Sequence, residues 1–246
     1  AMSDLSAMGA LPGEALLALT LPSGTTEAQA TELIAGAGEA ATACGCSIVG
    51  GDLSIGPALA ASVTVIGHAE APRRLVGREG AQSGDLIGLT GSIGGSGAGL
   101  ALLSKDAEHQ SALADRHRRP AIRVTEGMAL EAAGVTAMID LSDGLAADAA
   151  QVGRASGLLL EIDSSLLPIE PGVEAVAEQV GMRGWQFAAG SGEDFELLFT
   201  APSDQRLRVE AACTDCSVTW IGNVVVGEPG ASIDGRRDIA GWEHTT

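Results

Sequence analysis

The apolar and polar positions of this chain follow a strand period in some stretches and a helix period in others. Ala15 to Leu21 is an apolar run closed by Pro22-Ser23-Gly24, which predicts a strand. A helix is expected to start at Thr26, with Gln29 completing a capping box. Ala30, Leu33, Ile34, Ala37, Ala41 and Cys44 recur at the spacing of one buried helix face. Strands are predicted over Cys46 to Val49 and Leu59 to Ile66, with turns at Gly50-Gly51-Asp52 and Gly56-Pro57 between them. Ala71 to Gly84 is polar and turn-rich, which suits a boundary between residues 1-70 and 71-246. Beyond it, strands are expected at Leu86 to Thr90, Val135 to Ile139, Leu158 to Ile162, Phe195 to Thr200 and Val218 to Val226. Helices are expected at Ala98 to Ala107, Ala121 to Ala133, Leu145 to Ala155, Val173 to Val180 and Gln205 to Ala212. No fixed-period repeat is present. The pattern predicts an α+β protein of two lobes, two-layered rather than doubly wound.

Charge narrows the function. A net charge of −18, from 32 acids against 14 bases, disfavours a nucleic-acid partner, because phosphate backbones would be repelled. The one lysine, Lys105, leaves no lysine-based phosphate framework, so a polyphosphate would need metal ions, backbone N–H groups and arginines. Solubility alone also explains the acidity. No apolar run approaches the ~18 residues of a membrane span, and the first residues do not read as a signal peptide, so a cytoplasmic protein with no membrane partner is expected. Cys44/Cys46 and Cys213/Cys216 are close pairs, read as buried or incidental thiols rather than a zinc site.

The strongest chemical signal is Met138-Ile139-Asp140-Leu141-Ser142-Asp143-Gly144. Two carboxylates three residues apart at a strand-to-helix corner can converge on a divalent cation, and Ser142 and the helix-start N–H groups can face phosphate. Equally, Asp143 could be an N-cap and Asp140 a turn residue. Gly50-Gly51-Asp52 and Ser3-Asp4-Leu5 offer further carboxylates, each also readable as an ordinary turn or cap. Gly91 to Gly99 lacks the partner acid of a dinucleotide loop and the lysine of a P-loop, so it reads as a tight turn with close helix packing. Arg116 to Pro120 reads as a solvated helix start rather than an anion patch. Gly192-Glu193-Asp194-Phe195-Glu196 places three acids at the head of an apolar strand, with Glu193 at its entrance. Trp242 is either a peg for the tail or a stacking surface for a flat ring.

In order, SDLSAMGALP (3–12), GGDLSIGP (50–57), REGAQSGD (78–85), MIDLSDGL (138–145) and GEDFELLFT (192–200) resemble the thiamine-monophosphate kinase family, in the superfamily of aminoimidazole ribonucleotide synthetase. The resemblance implies that superfamily's two-lobed α+β fold, with residues 1-70 the remainder of an N-terminal ATP- and Mg²⁺-binding, dimer-forming domain. It implies phosphorylation of thiamine monophosphate by ATP with Mg²⁺, by direct in-line transfer, in a homodimer. Asp4, Asp52, Asp140 and Asp143 are then the implied Mg²⁺ ligands, with Asp140 and Asp143 central to catalysis. Gly51, Asp52, Arg78 and Ser142 are the implied ATP contacts, and Glu193 and Trp242 the implied thiamine contacts. The family's paired-Asp and Thr-Thr-Asp motifs, which precede Ser-Asp-Leu, do not occur in the sequence. Another ATP-dependent enzyme of the superfamily, or a non-catalytic binder of nucleotide or thiamine phosphate, is the alternative expectation.

Overall fold

The computed structural model describes residues 1–69, 74–239 and 241. Helix α1 (Met2–Ala7) leads into the long strand β1 (Leu11–Pro22), helix α2 (Glu27–Ala43) and strands β2 (Ser47–Gly56) and β3 (Ala60–His68). β1 is central, parallel to β2 and antiparallel to β3. The capping box at the start of α2 forms as the sequence predicts, with Thr26 N donating to Gln29 Oε1 at 2.9 Å and Gln29 N to Thr26 Oγ1 at 3.3 Å. Ala30, Leu33 and Ala37 cover Leu17, Leu19 and Leu21 of β1. No α2 residue is fully buried, however, and Ile34 is exposed.

The predicted turn at Gly50-Gly51-Asp52 does not form. β2 runs straight through these residues, pairing Leu17 with Gly51 and Ala18 with Asp52 after a bulge at Ala15/Leu16. A Cβ at Gly51 would sit 1.8 Å from the Leu17 carbonyl oxygen, so glycine there permits close strand approach. Local composition read as a turn was overridden by a parallel partner more than thirty positions away.

The second sheet has the order β5-β7-β4-β8-β6-β9, mixed in direction. Its strands are β4 (Leu86–Thr90), β5 (Ala137–Asp140), β6 (Leu159–Ile162), β7 (Leu197–Ala201), β8 (Val218–Val225) and β9 (Gly230–Ile233). Between them lie α3 (Gly95–Leu103), α4 (Ala112–Arg118), α5 (Val124–Ala133), α6 (Leu145–Ser156), α7 (Val173–Gln179), α8 (Gly184–Gly190) and α9 (Arg206–Ala212). β7 explains the layering, since adjacent side chains of a strand point to opposite faces. Leu198 packs with Ile139, Ile221 and the α6 residues Leu145, Ala149 and Val152. Leu197 and Phe199 pack instead with Leu130 and Ala133 of α5 and Val209 of α9. This sheet is therefore covered on both faces, so the expected two layers become three here. The α+β class with helix-covered mixed sheets holds. α8 and β9 are short elements that the hydropathy pattern did not reveal.

Candidate active site

The site grows from the corner between β5 and α6. β5 is buried throughout and delivers Asp140 at its last position, 5% exposed. Ser3 of α1 donates a hydrogen bond to Asp140 Oδ2. Burial pushes the Asp140 carboxyl above the usual range; the Ser3 hydrogen bond opposes this and the nearby Asp4 adds to it. The helix cap is Gly144 (φ 101°) rather than Asp143.

Asp148, one turn into α6 and 1% exposed, went unnoticed in the sequence. Its carboxylate accepts from Asp143 N at 3.1 Å and from the Gly144 N–H, so part of the expected phosphate-facing N–H set is already engaged. Burial, with Asp143 and Asp140 nearby, raises Asp148 to about 7. The visible signal was only its spacing, five residues after Asp143. Among the described residues, no arginine or lysine pairs with Asp140, Asp143 or Asp148. Neighbouring carboxylates with no arginine or lysine paired to them suit a hard divalent ion, which takes one or two carboxylates and completes its shell with phosphate oxygens and water.

A second loop locks onto this corner. Glu193 N donates to Ser142 O at 2.9 Å, Phe195 N to Leu141 O at 2.9 Å, and Leu141 N to Glu196 O at 2.8 Å. The predicted strand from Phe195 starts two residues later, because Glu193 (φ 64°) and Phe195 (φ 52°) have left-handed backbones. Such conformations in non-glycine residues cost ~1–3 kcal/mol and persist where their surroundings over-determine them. The Glu193 carboxylate is half exposed and lies 3.7 Å from His117 Nδ1, which is 2.9 Å from Ser96 Oγ.

Behind the loop is an ion cluster that sequence reading missed. Glu196, completely buried, accepts from Arg123 Nε at 2.7 Å, Arg123 Nη2 at 2.8 Å, Thr90 Oγ1 at 2.7 Å and Arg116 Nη2. Arg116 is thus a buried-cluster cation at the end of α4, not part of a solvated helix start. Asp194, 1% exposed, caps α3 by accepting from Gly94 N at 2.6 Å and Ser96 N at 3.1 Å. Burial nevertheless raises it to about 6. The glycine stretch is the tight turn with close helix packing expected from sequence: Gly91 (φ 57°) and Gly94 (φ 84°) turn the chain into α3, and inside that helix a Cβ at Gly99 would meet the Leu113 carbonyl oxygen at 2.1 Å.

The predicted site residues therefore divide. Asp140, Ser142, Asp143 and Glu193 come together, and Asp4 is within electrostatic reach of Asp140. Arg78 joins from the side, its Nη1 donating to Gln151 Oε1 at 3.2 Å while Gln151 Nε2 donates to Asp148 Oδ1 at 3.3 Å. Gly51 and Asp52 sit in β2, and no hydrogen bond or ion pair links them to the corner among the described residues. No group of three His, Cys, Asp or Glu among the described residues forms a ready-made metal cage. Trp242 lies outside the described residues. Gly241, just before it, packs on the corner, where an added Cβ would lie 2.7 Å from the Asp143 carbonyl oxygen.

Comparisons with known proteins converge. The family described as AIR synthase related protein matches twice, its N-terminal domain over residues 1–69 and its C-terminal domain over residues 82–234. The thiamine-monophosphate kinase of Aquifex aeolicus is 34% identical, over 99% of this chain and 78% of its own length. That of Escherichia coli is 36% identical, over 100% of this chain and 74% of its own length. The solved structure of AaThiL complexed with AMPPCP and TMP superposes with a TM-score of 0.87 at 34% identity, covering 99% of this chain and 77% of that one. Hydrogenase maturation protein HypE in complex with ATP, at 20% identity and a TM-score of 0.81, shares the fold.

Proposed function

The chain belongs to the AIR synthase related family and, within it, to the thiamine-monophosphate kinases; from that premise we propose that it uses ATP to phosphorylate thiamine monophosphate to thiamine diphosphate. The observation that carries this is the backbone zipper between Leu141–Ser142 and Glu193–Glu196. It brings the backbone of Glu193 against the segment that carries Asp140 and Asp143, which supports reading the two as parts of one site. The relatives named thiamine-monophosphate kinase and the AMPPCP- and TMP-bound neighbour support the choice of substrates.

In this reading Asp140 and Asp143, with Asp4 and Asp52, hold Mg²⁺, which when bound neutralises phosphate charge. Ser142, Gly51, Asp52 and Arg78 hold ATP. Glu193 and Trp242 hold the thiamine moiety. The γ-phosphoryl passes directly to an oxygen of the thiamine phosphate: one P–O bond forms as the bond to ADP breaks, and ADP leaves. The acceptor oxygen is already anionic, so no general base is required, and the protein's task is positioning and charge neutralisation.

The reading extends to the assembly. Residues 1-70 belong to an ATP- and Mg²⁺-binding, dimer-forming domain and residues 71-246 to a C-terminal α+β domain. Val49, Leu53, Ile55, Val63 and Ile66 of the first sheet are exposed, a patch of the kind that subunit association covers. The homodimer acts in the cytoplasm; among the described residues no helix is long and apolar enough to cross a membrane. The test is ADP release with ATP and Mg²⁺, with thiamine monophosphate present or absent, and identification of the product. Thiamine diphosphate formed by this chain and abolished in Asp140→Asn supports the kinase. AMPPCP binding without any thiamine diphosphate overturns it in favour of a non-catalytic binder.

A further inference from the structure

Two consecutive residues in the last turn of α4 reach the loop that carries Glu193. Arg116 donates to the buried Glu196 carboxylate and to Ser92 O at 3.3 Å. His117, the next residue, brings Nδ1 to 3.7 Å from Glu193 Oε2 and to 2.9 Å from Ser96 Oγ. One helix end thus meets two carboxylates of the same loop, one buried and one half exposed. α4 comes this close because α3 offers it glycine: a Cβ at Gly99 would lie 2.1 Å from the Leu113 carbonyl oxygen and 2.9 Å from the His117 Cβ. Any side chain there would push α4, and the imidazole with it, away from α3.

The parts around the imidazole are fixed to different degrees. Ser96 is 1% exposed, and its N–H donates to Asp194 Oδ1 at 3.1 Å, so its hydroxyl meets the ring from a rigid helix start. The His117 side chain is 21% exposed, against 44% for that of Glu193. The Glu193 backbone is held by its bond to Ser142 O, which fixes the Cα but not the carboxylate. Among the described residues, no side chain other than His117 makes a hydrogen bond or ion pair with that carboxylate.

We propose that His117 is a positioning residue for the Glu193 carboxylate and, through it, for the thiamine moiety of the substrate. At 3.7 Å the contact is longer than a hydrogen bond, and contacts of this kind are often long until substrate binds and then tighten. A proton on Nδ1 serves Ser96 Oγ until the carboxylate swings against the ring, and then serves Glu193. A glutamate side chain left free in water pays rotamer entropy when a ligand orders it; the imidazole and Ser96 behind it pre-order the carboxylate and reduce that cost. Arg116, one residue away, is committed to Glu196 and takes no part in this. The assignment rests on the proposed role of Glu193 as a thiamine contact for its effect on binding, and on geometry alone for the pairing.

The experiment compares wild type, His117→Ala, His117→Asn, Glu193→Gln and the double variant His117→Ala/Glu193→Gln. Thiamine monophosphate affinity is measured by calorimetry, and KM for both substrates by turnover. For a half-exposed pair, His117→Ala should weaken thiamine monophosphate binding and raise its KM by about fivefold, with KM for ATP unchanged. His117→Asn, whose amide N–H takes the place of the ring Nδ1, should recover most of that loss. In the Glu193→Gln background the removal of His117 should cost nothing further. Nitrogen NMR of the His117 ring reads the pairing with no substrate present, and its resonances should shift in Glu193→Gln. Unaltered thiamine monophosphate affinity in His117→Ala overturns the proposal. An equal rise in KM for ATP, losses that multiply in the double variant, or ring resonances indifferent to Glu193→Gln overturn it as well. The kinase reading fails separately: a wild type whose thiamine monophosphate binding depends on His117 but which makes no thiamine diphosphate sinks that reading and leaves the assignment of His117 standing.

Discussion

Replacing Glu196 by Gln should destabilise the protein by about 3 kcal/mol. Four hydrogen bonds from three side chains converge on this buried carboxylate, with Arg123 in the bidentate geometry that makes such pairs strong. A glutamine keeps one acceptor oxygen but turns an NH₂ towards donors, leaving guanidinium N–H groups unpaired. Breaking a buried ion pair from one side costs ~3–5 kcal/mol, because the surviving charge stays uncompensated. The Arg116 and Arg123 side chains retain 18% and 14% exposure, so water recovers part of that cost and the lower end applies. Against a total stability of ~5–15 kcal/mol the loss is large. The Arg123 guanidinium is held above its ordinary pKa, chiefly by the hydrogen bond to Glu196. Its stabilising contribution is therefore fully present below the unfolded value and is lost only at more alkaline pH, so the deficit should be flat between pH 7 and 9, above the range in which the neighbouring Asp194 titrates. Urea denaturation of both proteins across that range is the assay. A deficit under ~1 kcal/mol at an unchanged m-value would refute the view that this cluster holds the 191–196 loop in place.

Asp194 predicts a pH dependence. Its folded pKa is raised from 3.8 to about 6, so the stability it contributes is complete below the unfolded value and is lost as pH rises through about 6. The unfolding free energy of Asp194→Asn, from urea denaturation, should lack a fall of about 3 kcal/mol that the wild type shows between pH 4 and 7; parallel pH profiles would count against it. Gly51→Ala should cost more than ~2 kcal/mol, since its Cβ meets the Leu17 carbonyl, whereas Gly50→Ala finds only a Leu16 methyl at 3.4 Å and should be tolerated. Thermal melting of the two variants distinguishes them, and equal Tm values would contradict the close-approach argument. Glu193→Gln should raise KM for thiamine monophosphate by about tenfold while leaving KM for ATP unchanged; the reverse pattern would remove Glu193 from the substrate side.

Much of this protein was legible in its sequence because short-range physics wrote it there. The Thr26/Gln29 capping box, the helix that follows, the apolar strand ending in Asp140 and the tight glycine turn before α3 each depend on neighbours within a few positions. Periodicity and cap chemistry record such features directly. Tertiary structure decided the rest, through partners that no local pattern names. A parallel neighbour made a strand of the Gly50-Gly51-Asp52 turn signal, and the Leu141 backbone held Phe195 out of the strand that alternation predicted. Burial beside two arginines turned Glu196 from one acid in a run into the anchor of the loop. A groove along α6 gathers Arg78, Arg154, Arg236 and Arg237 from positions up to 159 residues apart in the sequence. Sequence carries the period of each segment and the chemistry of each side chain. Which charges meet, and which are left without a partner, is settled only when distant segments are brought together and water is removed between them.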